Sequence, residues 1–286
     1  VVAALAIIWA EQRFRGRGAY FSAKPSRPPA AHRLTRLQRL AGTSFFAIVV
    51  TLGVMVPVGV LIGWVLRGIT QGAGLVVPWT ATGSSVLAAS LAAVIAIVAA
   101  IPIAVLAVRH PGRGATVIER SSYVMFSLPH ITIAIAVVAF TVRYTRPLYQ
   151  SLTVLVIVYA AMFLAQVIGP AKAALLQVDP LLDDASRSLG SSQVGTLRRI
   201  TVPLMSRGLL AGGLLVFVTA LKELPVTLLL RPSGFSTLAI RIWSSADELL
   251  YTTAATGALL LIGISIVPVY YLSVRPKDFA SLVRLR

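Results

Sequence analysis

SSVLAASLAAVIAIVAAIPIAVLAV, residues 84–108, runs from end to end without a formal charge. The hydrocarbon core of a bilayer is roughly 30 Å thick, and a helix needs about 20 apolar residues to cross it. Backbone groups in lipid must be hydrogen-bonded within their own segment, because no water is present to bond them. The stretch therefore predicts a membrane-spanning α-helix.

Five further stretches have the same character, and they extend the prediction to the whole chain. The six are residues 43–66, 84–108, 121–142, 151–169, 208–230 and 252–272. Formal charges occur in the fifth alone, as Lys222 and Glu223. The sequence thus predicts an all-α polytopic membrane protein, with a permease domain of six transmembrane helices over residues 43–272.

Composition supports this class and excludes others. The 286 residues are 57% hydrophobic and 12% charged, with a mean hydropathy of +0.86, which does not fit a water-facing surface. The chain has no cysteine, so disulfides, thiolate metal sites and cysteine nucleophiles are excluded. His32, His110 and His130 lie far apart, so we expect no metal site and no catalytic residue.

The net charge of +17 reflects topology. Twenty of the 26 Lys and Arg lie in one alternate set of loops, and short loops rich in cations stay cytoplasmic. This places the linker before the first span and the C-terminus in the cytoplasm. Contact with anionic lipid then explains the charge better than nucleic-acid binding does.

The two ends of the chain lie outside the permease domain. Residues 1–10 are apolar but too short to span, so we interpret them as the end of a truncated transmembrane helix. A clipped chain, one half of a fused protein and an alternative start all remain open. Residues 11–42 form a basic cytoplasmic linker in which Arg33, Arg36 and Arg39 recur at helical spacing, predicting an amphipathic surface helix. Residues 273–286 are a cytoplasmic tail.

The loop over residues 170–207 is far longer than a helical hairpin requires. Asp179-Pro180 predicts the start of a short helix over residues 181–189, and Gly190 stands where a left-handed cap belongs. Ser191-Ser192 predicts the start of a second short helix through Arg199, and Pro203 is expected to end it. Such a helical arm suits docking to a soluble partner.

A second polar feature lies inside the fifth span. Lys222 and Glu223 point about 100° apart on a helix, so they need not pair with each other. Pro225 removes a backbone donor and predicts a kink near residue 221. We interpret Lys222, Glu223 and Pro225 as part of a translocation pathway or gate. The alternative is that Lys222 reaches outward while Glu223 pairs with another helix only to fix packing.

The arm carries a resemblance to a known family. Asp184-Ala185-Ser186, Gly190, and Ile200-Thr201-Val202-Pro203 resemble the E-A-A-x3-G-x9-I-x-L-P signature of permease subunits of bacterial ATP-binding-cassette importers. Ala185, Gly190, Ile200 and Pro203 match, and all spacings hold. Asp184, Ser186 and Val202 are departures from it.

Within that family the chain resembles the ferric-iron branch. Its fifth-span ending and following loop resemble LKELPVTLLLRP, residues 221–232. Many members of that branch are fusions of two six-span halves, which suggests that this chain is the C-terminal half of one. Sulfate, thiamine and phosphonate permeases share the scaffold and are alternative substrate classes.

The resemblance implies a mechanism with no chemistry in this chain. Asp184, Ala185, Ser186, Gly190, Ile200 and Pro203 would dock a cytoplasmic ATPase dimer, which would bind the ATP, and this chain would bind no cofactor. The other partners would be a second permease half or a homodimer partner, and a periplasmic or lipid-anchored substrate-binding protein. The location would be the bacterial inner membrane. A channel or gradient-driven secondary transporter is the alternative function, whereas a membrane-embedded enzyme lacks convergent catalytic groups.

Overall fold

The structure is a computed structural model that describes residues 35–72, 74 and 76–274. All regular structure within these residues is helical, which confirms the predicted all-α class. The expectations for residues 1–34 and 275–286 lie outside the described part of the chain. They concern the truncated helix, most of the basic linker and most of the tail.

The helices are labelled here in chain order. They are α1 (Arg36–Thr70), α2 (Trp79–Arg109), α3 (Arg113–Ser127), α4 (His130–Tyr144), α5 (Leu152–Leu176), α6 (Leu181–Ser188), α7 (Gln193–Leu221), α8 (Pro225–Leu230), α9 (Leu238–Asp247) and α10 (Tyr251–Val274). Five of them, α1, α2, α5, α7 and α10, are long and apolar enough to cross a membrane.

The sixth expected span is broken. α3 and α4 together are apolar enough to cross, but they bend by 105° at their junction. Leu128 there has φ −75° and ψ 146°, an extended conformation, because the residue before a proline is disfavoured in the helical region. The predicted span over residues 121–142 is therefore two helices joined at a bend, and Pro129 is the cause.

α1 begins earlier than the predicted first span. Thr35 Oγ1 accepts a hydrogen bond from the Gln38 backbone N–H at 3.3 Å, and Gln38 Oε1 accepts one from the Thr35 N–H at 3.0 Å. This reciprocal cap starts a helix that continues unbroken to Thr70. The expected separate amphipathic helix is wrong in this respect, since Arg36 and Arg39 lie in the first turns of the first span.

The core is formed by α2, α5 and α7, and each of these three helices packs against the other two. Within this core α2 carries a stripe of buried alanines that includes Ala89, Ala92, Ala96 and Ala100, each 0% exposed. Small side chains let helices approach closely in a membrane, where van der Waals packing drives association.

The contact between α5 and α7 is closer still. A Cβ added at Gly208 would lie 2.3 Å from the Pro170 carbonyl oxygen, and one added at Gly212 would lie 2.5 Å from Val167 Cα. Backbone therefore lies directly on backbone.

α1 and α10 pack together beside this core. The rings of Trp64 and Tyr251 are 4.8 Å apart, and Thr252 Oγ1 donates to the Trp64 carbonyl oxygen at 3.4 Å. The rest of α1 is an exposed apolar surface, including Phe45, Phe46 and Leu52. A surface of this composition suits contact with lipid or with another membrane subunit.

Candidate functional site: an arm between two spans and two broken helices

The predicted arm is present, with α6 as its first helix. Asp179 Oδ1 accepts a hydrogen bond from the Leu181 N–H at 2.9 Å, so this side chain does cap the start of α6. Gly190 follows the end of α6 with φ +84°, which confirms the predicted left-handed conformation. Leu189 beside it is 87% exposed.

The second helix of the arm begins as predicted but does not end as predicted. Ser192 Oγ accepts a hydrogen bond from the Gly195 N–H at 3.1 Å and caps the start of α7. Pro203 was expected to end the helix, but α7 continues past it to Leu221. A π-helical turn over Leu197–Thr201 comes just before Pro203, and this wider turn accommodates a residue that has no N–H to donate.

The arm is shorter than the predicted residues 170–207, again because a proline lies inside a helix and does not end it. Pro170 lies inside α5, which ends at Leu176. The segment between the two spanning helices is therefore residues 177–192. The arm's second helix and the fifth span are one continuous rod of 29 residues, about 43 Å long at 1.5 Å per residue.

An ion pair fastens the arm to the membrane core. Arg109, the last residue of α2, has its Nε 2.9 Å from Asp183 Oδ2 of α6, and its Nη2 donates to the Val178 carbonyl oxygen at 3.2 Å. Thr201 Oγ1 of α7 donates to Asp183 Oδ1 at 3.1 Å. Asp183, which sequence reasoning did not single out, thus joins α2, α6 and α7.

The signature-like residues divide into exposed and buried groups. Asp184, Ala185, Gly190 and Pro203 are exposed, and Ile200 is partly buried. Ser186 is buried, and its hydroxyl is 2.9 Å from Thr196 Oγ1, so it holds the arm together rather than facing a partner. Exposed apolar side chains surround the first group, namely Leu181, Leu182, Leu189 and Val194.

At the other end of α7 the predicted kink is a full break. α7 ends at Leu221 and α8 begins at Pro225, so Lys222, Glu223 and Leu224 lie outside regular helix. α8 packs against α4, the second half of the other broken span. The two interruptions therefore meet.

A carboxylate–imidazole pair joins the two broken spans. Glu223 is only 5% exposed, and its Oε2 lies 2.8 Å from His130 Nδ1 at the start of α4. Its Oε1 accepts a hydrogen bond from the Val226 N–H at 3.2 Å. Lys222, by contrast, is exposed and makes no ion pair with Glu223.

The break is also held from the core helix α5. Tyr159 of α5 is hydrogen-bonded through its hydroxyl to Thr227, whose hydroxyl in turn donates to the Glu223 carbonyl oxygen. Phe163, one turn further along α5, has its ring centroid 5.7 Å from that of His130. These contacts fix where the non-helical backbone lies.

Sequence reasoning did not identify His130 as the partner of Glu223. The two are 93 residues apart, so no local spacing relates them. The available signal was that His130 directly follows the proline that interrupts a span. Within the described residues no group of three His, Cys, Asp or Glu side chains is arranged to hold a metal ion.

Comparison with known proteins places these features in a family. Residues 92–276 match the model of the family described as "Binding-protein-dependent transport system inner membrane component". The chain is 30% identical over 270 residues to a protein of Haemophilus influenzae named "Fe(3+)-transport system permease protein", which covers 93% of this chain and 53% of that protein. The chain thus spans about half the length of this relative.

A second relative has a different printed substrate. The chain is 32% identical over 199 residues to a protein of Haloferax volcanii named "Probable molybdenum ABC transporter permease protein". This alignment covers 65% of the chain and 71% of the relative. The two names agree on the transporter class and differ in the ion.

Proposed function

The chain belongs to the family of binding-protein-dependent transport system inner membrane components, and from this premise we propose that it is a membrane-spanning permease subunit that imports ferric iron. The ion is delivered by an extracytoplasmic binding protein, and a separate cytoplasmic ATPase dimer drives the transport cycle. The iron assignment is supported by the 30% identity to the Haemophilus protein.

One observation carries the proposal: a single helix, α7, runs from the arm to the break at Glu223. The signature-like residues Ala185 and Gly190 precede the start of α7 at one end, and α7 ends at the Glu223 break at the other. A push on the arm therefore reaches the break through one helix. Asp183 and Arg109 pass the same motion to α2.

The exposed part of the arm fits a protein cleft. Leu189 and Val194 offer apolar surface next to the acid of Asp184 and the cation of Arg187. Gly190 has no described atom within 4 Å of a built Cβ, so a partner backbone approaches closely there. The proposed docking residues are Asp184, Ala185, Gly190, Ile200 and Pro203, with Ser186 positioning the arm.

The broken segments are where the conformation would change between the inward-open and outward-open states of alternating access. Non-helical backbone at membrane depth is tolerated where it is buried in protein or lines a cavity. A buried Glu223 carboxylate paired with a part-buried His130 is costly to keep at such a break, which supports an ion path there. We assign Glu223, Pro225 and His130 to the gate, with Lys222 at its exposed edge.

Transport by the reconstituted assembly tests the proposal. Proteoliposomes carrying this permease, its partner subunits, the ATPase and the binding protein should accumulate radioactive ferric iron only with ATP. Uptake should persist when an uncoupler dissipates ion gradients. Uptake that needs a gradient and continues without the ATPase would instead indicate a secondary transporter.

A further inference from the structure

A cavity of about 570 Å³ opens at the end of the molecule opposite the arm. Three segments form its walls: the loop before α5, the loop after α8, and the first turns of α9. Its polar lining consists of Arg231, Arg241, Gln150, Ser233, Ser236 and Ser244. Two cations and several neutral hydrogen-bonding groups therefore face one space, and no acidic residue lines it.

Neither arginine is neutralised. No carboxylate within the described part of the chain forms an ion pair with Arg231 or Arg241. Arg231 is partly buried, and its Nη1 donates to the Phe235 carbonyl oxygen at 3.1 Å, which fixes the direction of the guanidinium. Arg241 is exposed and makes no side-chain hydrogen bond to the described residues. Guanidinium groups pair best with oxygen anions, because their planar fork of donors matches such groups.

The cavity connects to the gate along a short element. Arg231 directly follows α8, and α8 begins at the break that contains Glu223. A helix of six residues is about 9 Å long. An occupant of the cavity is therefore one short helix away from the Glu223–His130 pair.

We propose that this cavity is a binding site for a compact oxygen anion, which occupies it before crossing the gate. The inference rests on the proposed function in that it makes the cavity the entrance of the transport path. Two sources supply this chemistry: a free tetrahedral oxyanion, or the anionic oxygen ligands that surround a chelated ferric ion. An unchelated ferric cation would meet two positive charges here and no carboxylate.

Equilibrium binding tests the site without any transport step. The assembled transporter in detergent is dialysed against orthophosphate, molybdate, ferric citrate and iron-free citrate. Arg241→Gln should weaken binding of the recognised anion by about tenfold or more, the factor that one charge-assisted hydrogen bond supplies. A double variant that adds Arg231→Gln should abolish it.

Arg67→Gln is the matched control. Arg67 is an exposed arginine near the end of α1, stacked over Trp64 and outside the cavity. This variant should bind the anion as the unaltered chain does, and all variants should keep the melting temperature and elution volume of the unaltered transporter. Quenching of Trp243, which lines the cavity, provides a second readout.

The probes distinguish the two sources. Binding of orthophosphate or molybdate alone identifies a free oxyanion, whereas binding of ferric citrate but not of iron-free citrate identifies anionic ligands on iron. The proposal is overturned if the unaltered transporter binds none of the probes, or if Arg241→Gln and Arg67→Gln bind them equally. Neither result bears on ATP-driven uptake, which is measured separately in proteoliposomes. Failure of the anion site can therefore be distinguished from failure of the proposed function.

Discussion

Glu223 combines burial, charge and backbone irregularity in one residue. Its carboxylate pairs with His130, and its Oε1 also accepts the N–H that opens α8. A side chain that both caps a helix and holds a second span can open the contact between them when it changes partner. We therefore propose Glu223 as the position at which charge and conformation are coupled.

Glu223→Gln separates this role from simple packing. Glutamine keeps the shape and one acceptor oxygen but removes the charge. We expect uptake to fall at least about tenfold, which corresponds to a rise of about 1.4 kcal/mol in the barrier of the rate-limiting step. The melting temperature should change little. Radioactive uptake and thermal unfolding are measured side by side.

Asp247→Asn is the control for that experiment. Asp247 is an exposed acid at the end of α9 and lies outside the pair. Its neutralisation should leave uptake unchanged. If Glu223→Gln lowers stability and uptake in parallel, or alters neither, the carboxylate serves packing and not the gate.

Gly190 is the second residue whose conformation matters. Its φ of +84° strains a β-branched residue by about 1–3 kcal/mol. A larger side chain there also projects from the exposed arm toward the proposed ATPase partner. We expect Gly190→Val to insert normally in the membrane yet to lose ATP-coupled uptake and co-purification with the ATPase.

Gly72→Val is a matched variant for strain alone. Gly72 also has positive φ, +77°, and open space around a built Cβ, but it lies in the loop after α1. It should retain ATPase association. Equal losses in both variants would mean that strain, and not the arm surface, explains the Gly190 result.

At the scale of elements, three prolines show what local rules can and cannot predict. Pro170 lies inside α5 without ending it, Pro203 follows a π-helical turn, and Pro129 breaks a span by 105°. The sequence rule is the same for each, since each removes one backbone donor. The surroundings differ, because the residue that follows Pro129, His130, pairs with Glu223 in the break after α7.

The same contrast explains the reach of sequence reasoning in general. Long apolar runs predicted the five long helices α1, α2, α5, α7 and α10, although the fifth run continues past the end of α7 into the break at Glu223. Burial in lipid requires little beyond composition and length. The left-handed conformation of Gly190 was predicted because the end of a helix is a local structure. The Glu223–His130 pair and the Arg109–Asp183 anchor join distant segments, and those contacts depend on the complete fold.

The α5–α7 contact provides an element-scale prediction. A Cβ at Gly212 would lie 2.5 Å from Val167 Cα, and neither backbone can move without disturbing the core. Gly212→Ala should therefore destabilise the protein by about 1–3 kcal/mol, the usual cost of overpacking. Thermal unfolding in detergent measures this, and uptake should fall with the folded fraction.

Gly59→Ala is the comparison at the same scale. No described atom lies within 4 Å of a Cβ built at Gly59, although it too is inside a long helix. Alanine there should leave the melting temperature unchanged or raise it slightly, because alanine favours helix over glycine. A fall equal to that of Gly212→Ala would refute close backbone contact as the cause.

At the scale of the whole molecule, the broken pair α3–α4 connects opposite ends of the bundle. α3 begins four residues after Arg109, which contacts the arm, and its Glu119 pairs with Lys172 near the arm end of α5 at 2.7 Å. α4 continues past the mid-helix contact with Phe163 and leads to Gln150, which lines the cavity at the far end. The bend therefore does not return the chain to the side from which it started.

This geometry predicts the outcome of reporter fusions. Fusions after Gly114 and Ser192 should both report the cytoplasm, and those after Gly74 and Ser233 should both be exported. This pattern is expected because α3 and α4 together cross the membrane once. Alkaline phosphatase and a fluorescent protein, active on opposite sides, measure each site. If α3–α4 were a re-entrant loop, residue 150 would lie on the cytoplasmic side, and a Gln150 fusion would report the same side as Gly114. An exported Ser192 fusion would place the arm on the side of the membrane that has no ATP. That result would overturn the proposed coupling to the ATPase, even if every helix were as described.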